Sequence, residues 1–231
     1  MKNRILLIAI FFSVFGFSQD SLKVANLRTQ IFSLSPITKK VDKVNGLVFG
    51  VGHFENSNIK TQTVNGINLE ANPIGLLSPL IIFMSLAERF EIKKVFDQRS
   101  QTQIIVNGLN ITTVGFMSTN AEMNGLNIST LTITKAQNGL SFSLLANANI
   151  KTNGLTIAGL YNYNEKLNGL SIALINKSID FNGMQIGLYN NCNHQMTGIQ
   201  LGLVNISNKT RGLQIGLLNR NKKRTLPFIN F

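Results

Sequence analysis

Residues 198–205 read GIQLGLVN and residues 212–219 read GLQIGLLN, and these two stretches are the clearest copies of a repeat that decides the fold. Working back from them, glycines recur every 14 to 17 residues as far as Gly108. Asn precedes the first six of these eight glycines, and Thr197 and Arg211 precede the last two. A fixed period of this kind indicates an architecture of stacked units that share one core.

The four residues after each glycine follow the order apolar, polar, apolar, small. Leu170, Ser171, Ile172 and Ala173 are one example. A period of two is typical of a strand with one buried face. We therefore expect the apolar residues in the core and rows of Asn, Ser, Thr and Gln on the outer surface. The residue six places after each glycine is also apolar, as at Ile175. An apolar residue there requires a bend or a bulge in the strand, or an apolar stripe on the outer surface.

Two all-β architectures accept this repeat. In a β-solenoid the coils stack in register, so equivalent residues form ladders. In an antiparallel barrel or meander neighbouring strands run oppositely, and a membrane barrel favours strands of roughly 9 to 11 residues with alternating short and long connections. Units of 14 to 15 residues without such alternation favour the solenoid. Eight coils at ~4.8 Å each would form a stack of roughly 38 Å.

The first 18 residues have the features of a secretory signal peptide. Lys2 and Arg4 give a basic start, residues 5–17 are apolar, and the polar residues that follow place cleavage before Gln19. This thirteen-residue apolar stretch is shorter than the roughly 20 residues that a membrane-spanning helix needs. We therefore expect an exported protein that faces the periplasm, lies at the outer-membrane surface or is secreted.

The rest of the chain divides into three parts. Residues 19–106 contain irregular repeats interrupted by an apolar and amphipathic insertion at 72–100, residues 107–219 form the regular array, and residues 220–231 form a basic and aromatic cap. The insertion either caps the stack as a short helical or apolar segment or touches lipid. The predicted lipid contacts are the apolar residues Leu80, Ile81, Ile82, Phe83 and Met84.

The composition argues against most catalytic chemistry. Only 14% of the 231 residues are charged, and no acidic residue follows Asp180, which disfavours a pair of working carboxylates. The single Cys192 excludes an intramolecular disulfide framework and a zinc cluster. Cys192 and His194 are two residues apart, but two ligands make a weak metal site. The sequence therefore predicts a non-enzymatic protein without a cofactor.

Basic residues are concentrated near the end of the chain, although the net charge of +12 describes the whole sequence. Six of them fall within 16 residues without an acid among them: Lys209, Arg211, Arg220, Lys222, Lys223 and Arg224. Such a cluster attracts anionic surfaces. Outside the cytoplasm we expect the partner to be an anionic glycolipid, a polysaccharide or another envelope protein rather than nucleic acid. The alternative is a solvated end cap that prevents coils from stacking end to end.

The stretches at 198–205 and 212–219 resemble the tandem G-L-Q-I-G-L-x-N units of a family of bacterial surface-repeat proteins from spirochaetes and Bacteroidetes-type bacteria. The ending RTLPFINF at 224–231 and the insertion that begins at Asn72 resemble the Bacteroidetes members. The resemblance implies an envelope location and no particular activity. We expect a non-enzymatic structural or interaction module of the envelope, with peripheral membrane association. A small integral outer-membrane β-barrel protein is the alternative.

Overall fold

The computed structural model describes residues 28–38, 40–52, 59–73, 103–115 and 120–231. Residues 1–18 and the predicted lipid contacts at 80–84 lie outside these ranges. The described residues form one ten-stranded sheet whose strands lie in chain order. The strands are β1 (Arg28–Ser35), β2 (Val41–Gly50), β3 (Thr61–Glu70), β4 (Gln103–Thr112), β5 (Ala121–Ala158), β6 (Tyr161–Ile172), β7 (Ile175–Ile186), β8 (Tyr189–Leu201), β9 (Val204–Arg220) and β10 (Thr225–Asn230).

Successive units pair in parallel and in register. Gly169 lies opposite Gly183, and Ile172 lies opposite Ile186, one coil further along the chain. The long strand β5 contains three rows of the stack, because its glycines Gly125, Gly139 and Gly154 lie over one another. The predicted β-solenoid is therefore confirmed, and the pairing is not that of the antiparallel alternative.

The glycine of each repeat lies within its strand and has an unusual backbone conformation. From Gly46 to Gly212 these glycines have φ between +113° and +154°, a region that side chains with a Cβ rarely occupy. A Cβ added to Gly169 would overlap the carbonyl oxygen of Gly154 in the row before it. The obstacle is backbone, which cannot move without breaking the stack. Glycine is thus required here by both conformation and space.

The structure reverses the predicted faces of the strand after each glycine. Asn110, Ser171 and Gln200, at the polar second position, have no exposed surface, whereas Leu170 and Ile172 on either side of Ser171 point outward. The prediction that the apolar residues fill the core and the polar rows cover the surface was wrong. The reason is that in-register stacking gives most of the buried polar side chains a partner in a neighbouring row, which removes most of the cost of burying them.

A ladder of buried asparagines shows how this works. Asn176 donates from Nδ2 to Oδ1 of Asn190 at 2.9 Å and to the carbonyl oxygen of Ile186 at 2.8 Å. Asn190 and Asn205 repeat the same pair of bonds one row later. Both amide hydrogens are therefore satisfied without water. The ladder continues through residues with no exposed surface: Asn147, Asn162, Asn176, Asn190, Asn205 and Asn219.

Two other inward columns complete the core. Gln200 donates to Gln185 at 2.9 Å, and Gln214 donates to Gln200 at 2.8 Å, so a glutamine ladder runs beside the asparagines. The residue two places before each glycine also points inward and supplies much of the apolar core. This column contains Val44, Val64, Val106 and Met123 in the early rows and Leu167, Phe181 and Met196 in the later ones.

The last strand closes the stack in the opposite sense. β10 pairs antiparallel with β9, and Ile229 lies opposite Ile215. Asn230 is fully buried and donates to Oε1 of Gln214 at 3.1 Å, so it extends the glutamine ladder by one more row. The C-terminal strand therefore covers the backbone edge of β9, which would otherwise be open to another strand.

We predict that Gly169→Ala lowers the free energy of unfolding by about 3 kcal/mol, because the new Cβ meets the carbonyl oxygen of Gly154 in a strained conformation. The measurement is chemical denaturation followed by the β-sheet signal in circular dichroism. Lys166→Ala, at an exposed site three residues earlier, is the control and should change stability little. Equal stability of the two variants would contradict the requirement for glycine.

We also predict that Asn176→Ala costs about 3 kcal/mol, because it leaves the Asn190 amide oxygen buried without its donor and removes the side-chain donor to the Ile186 carbonyl. Asn182→Ala makes the same chemical change at an exposed position before Gly183 and serves as the matched control. The two variants are compared by urea denaturation. If Asn182→Ala destabilises the chain as much as Asn176→Ala, the ladder is not a principal source of stability.

Candidate functional site

The basic cluster predicted from the sequence is centred on the turn between β9 and β10. Arg220, Lys222 and Lys223 are exposed and line a groove of about 550 Å³. Its other walls come from polar residues of the last three rows, including Asn191, Asn193, Ser207, Asn208 and Thr225. The groove thus combines positive charge with amide and hydroxyl groups, which are the groups that bind phosphate, carboxylate or sugar hydroxyls.

Asn221 holds this turn in a defined shape. Its Oδ1 accepts hydrogen bonds from the backbone N–H groups of Lys223 and Arg224, both at 2.9 Å. Its own N–H donates to the carbonyl oxygen of Arg224 at 3.0 Å. A side chain that bonds to the backbone two residues on is a common way of fixing a turn. The turn therefore presents Lys222 and Lys223 from a fixed backbone.

Arg224 differs from the other basic residues in the cluster. Its Nε donates to Oδ1 of Asn230 at 2.9 Å, and its Nη2 donates to the carbonyl oxygen of Phe231 at 2.8 Å. The guanidinium also lies over the Phe231 ring, 4.4 Å from the ring centroid. Arg224 thus fixes the end of the chain and is the member of the cluster whose donors are most engaged within the protein.

Lys209 and Arg211 occupy a different side of the last coil. They lie opposite Gln195 and Thr197, on the segment that leads to Gly212, and neither lines the groove. Both side chains are exposed. The sequence therefore located the positive charge at the end of the stack, and the structure divides it between the groove and the neighbouring side.

A second surface was not predicted as a site. The first and third residues after each repeat glycine point outward, as do Phe32 and Leu34, which pair with Leu47 and Phe49, and none of these residues is buried. We call this surface the apolar face. Its residues are Phe32, Leu34, Leu47, Phe49, Ile67, Leu69, Leu109, Ile111, Leu126, Ile128, Leu140, Phe142, Leu155, Ile157, Leu170, Ile172, Met184, Ile186, Ile199, Leu201, Leu213 and Ile215.

The sequence contained a signal for this surface. Residues two and four places after the glycine lie on the same side of a strand, and the fourth is always small, as at Ala173, Gly187 and Gly202. Small residues at the fourth position indicate that this side of the strand has little space for side chains. Ala173 is indeed buried, and Gly187 and Gly202 lie against the asparagine ladder. The large residues at positions one and three therefore had to face outward.

The structure separates Cys192 from His194. The Cys192 side chain is buried, and its Sγ donates to the carbonyl oxygen of Ile179 at 3.2 Å. His194 is exposed and its Nδ1 lies 2.6 Å from Oδ1 of Asp180. Burial raises the pKa of the Cys192 thiol, which disfavours the nucleophilic thiolate. The two residues therefore do not form a nucleophile and its base in this arrangement.

In the part of the chain that the structure describes, no three His, Cys, Asp or Glu side chains form a group that could hold a metal ion. Among the same residues, no helix has the length and apolar character needed to cross a membrane. Comparisons with models of protein families, with curated proteins and with solved structures find no match for this chain. The groove and the apolar face are therefore the features of this chain that bear on its function.

We predict that Cys192 in the folded protein reacts with an aromatic disulfide reagent roughly 100-fold more slowly than an exposed thiol, because it is buried and its pKa is raised. Asn193→Cys places an exposed thiol at the next residue and is the matched control in the same chain. Absorbance of the released thiolate measures both rates. Equal rates for the two thiols, without denaturant, would show that Cys192 is accessible.

Proposed function

We propose that the protein is an exported, non-enzymatic interaction module of the cell envelope. Its cationic end, formed by Lys209, Arg211, Arg220, Lys222 and Lys223, binds an anionic glycolipid or polysaccharide. The observation that carries the proposal is the separation of charge along the stack. All six basic residues after Asp180 belong to the last rows or the turn beyond them, and no acidic residue accompanies them.

Electrostatics supports an extended anionic partner. Charges of one sign at one end of a rod create a field that acts over about a Debye length, about 8 Å at physiological ionic strength. Each basic residue close to an anionic surface contributes about 1 kcal/mol. Arg220, Lys222 and Lys223 can approach the same surface together, because they line one groove. Asn191 and Asn193 in its wall add donors for phosphate or hydroxyl oxygens.

The fold supports a role in binding. Backbone pairing joins every described row to its neighbours, and side-chain ladders reinforce the later rows, so the stack can hold a surface in a fixed place. The groove at the cationic end is open and polar and contains no acidic residue. Such a site suits recognition of a repeated anionic polymer or lipid head group. The export expected from residues 1–18 and the family resemblance of the repeats point to an envelope partner.

The test is co-sedimentation with phosphatidylcholine vesicles that contain lipid A. We predict that Arg220→Gln/Lys222→Gln/Lys223→Gln weakens binding about 100-fold, as the loss of three contacts of about 1 kcal/mol each requires. Raising the ionic strength from ~0.01 to ~0.15 M should weaken binding of the unaltered chain, because the Debye length falls from about 30 to about 8 Å.

Lys43→Gln/Lys151→Gln/Lys166→Gln removes the same charge at exposed positions of other rows and is the matched control. It should retain most of the binding. An equal loss in the two triple variants would mean that net charge alone causes the attraction. Full binding by the variant at the groove would contradict the proposed site.

A further inference from the structure

The apolar face is a surface that the proposed function does not use. Its residues are all Leu, Ile, Phe or Met, and several are widely exposed, such as Phe49 at 54% and Leu34 at 62%. A neighbouring column at the next bend adds further exposed leucines: Leu144, Leu160, Leu174, Leu188, Leu203 and Leu217. Monomeric soluble proteins rarely expose an apolar patch of this continuity, and such a patch marks an interaction site.

The size of the face matches that of a protein–protein interface. An outward residue on a strand covers about 4.8 Å by 6.7 Å of sheet, so the twenty-two residues cover roughly 700 Å². The largest apolar patch on a typical monomer is about 300 to 600 Å². A stable complex buries about 800 Å² on each partner. The face alone therefore approaches what one side of a stable dimer needs, and the neighbouring leucines extend it.

The charge distribution makes a second copy of the chain a suitable partner. The protein has a net charge of +12, which opposes self-association over most of its surface. No residue of the apolar face is charged, so two copies can meet there without bringing like charges into contact. The in-register rows also give the face a regular pattern of ridges. Two such sheets can pack about 10 Å apart with interdigitated side chains.

We propose that two copies of this chain form a symmetric dimer by packing their apolar faces together. The interface is isologous, so each row of one copy meets a row of the other across a two-fold axis. If the two-fold axis is parallel to the strands, the second stack runs in the opposite direction and the two cationic ends lie roughly 48 Å apart. If the axis is parallel to the stacking direction, the two cationic ends lie side by side. Repulsion between the cationic ends selects the reversed arrangement.

This arrangement gives the dimer a cationic groove at each end. The middle row, which contains Phe142, meets its own copy, while the row of Leu201 meets the row of Phe49. The dimer can therefore bind two anionic sites at once, which raises its apparent affinity for a continuous surface. The interface itself does not depend on what the grooves bind, so each proposal can fail without the other.

Sedimentation equilibrium of the chain that begins at Gln19 tests whether the dimer forms. The unaltered chain is expected at twice the monomer mass. Phe142→Glu and Ile172→Glu are each expected to raise the dissociation constant of the dimer at least about 100-fold, because each variant buries two unpaired carboxylates in the interface. Ile206→Glu makes the same kind of change on another side of the coil and should leave the dimer intact. Circular dichroism verifies that each variant keeps its strands.

Three results would overturn the proposal. One is an unaltered chain that remains monomeric, including the case in which residues 74–102 cover the face. Another is a dimer that both glutamate variants leave unchanged. The third is a monomer that binds vesicles of uncharged phosphatidylcholine and loses this binding in Ile172→Glu, because the face would then contact lipid.

The orientation of the two copies is tested with single cysteines in the apolar face. Phe142→Cys should form a disulfide-linked dimer and Leu201→Cys should not. The opposite result refutes the reversed arrangement.

Discussion

The structure depends on the stacking of each residue about 4.8 Å from its equivalent in the next row. This spacing lets the Asn176 amide reach both the Asn190 side chain and the Ile186 carbonyl, so that one amide satisfies two acceptors. The same spacing leaves no room for a Cβ on Gly169. A single geometric requirement thus explains why the asparagines and the glycines recur at one period. It also makes stability a property of neighbouring rows, as in other solenoids.

The period, the strand after each glycine and the positive φ of the glycine could be predicted from the sequence, because all three depend on local pattern. The choice of faces could not be predicted from hydrophobicity alone, which places Ile172 inside and Ser171 outside. Burial of Ser171 is favourable only because its hydroxyl reaches Asn176 at 2.7 Å, a residue that belongs to the next row. Side-chain volume was the better guide, since Ala173 shares the inward face.

Part of the candidate site could also be predicted from the sequence, and part of it could not. The positive charge near the C-terminus is a matter of composition and could be predicted directly. The groove requires β10 to fold back against β9, and the role of Arg224 requires Phe231 to lie beneath its guanidinium. Neither follows from the spacing of residues. Arg224 therefore looked equivalent to Lys222 in the sequence, although its donors fix the chain terminus.

The inverted faces also give the low charged fraction of 14% a physical meaning. Uncharged polar residues in most proteins solvate the surface, but here Asn190, Gln200 and their equivalents occupy the interior. The large apolar residues are consequently available at the surface, in rows as regular as the ladders behind them. Apolar contact acts only at van der Waals distance, whereas the cationic end acts over about a Debye length. Because the two surfaces lie on different parts of the stack, each can be occupied without displacing what the other binds.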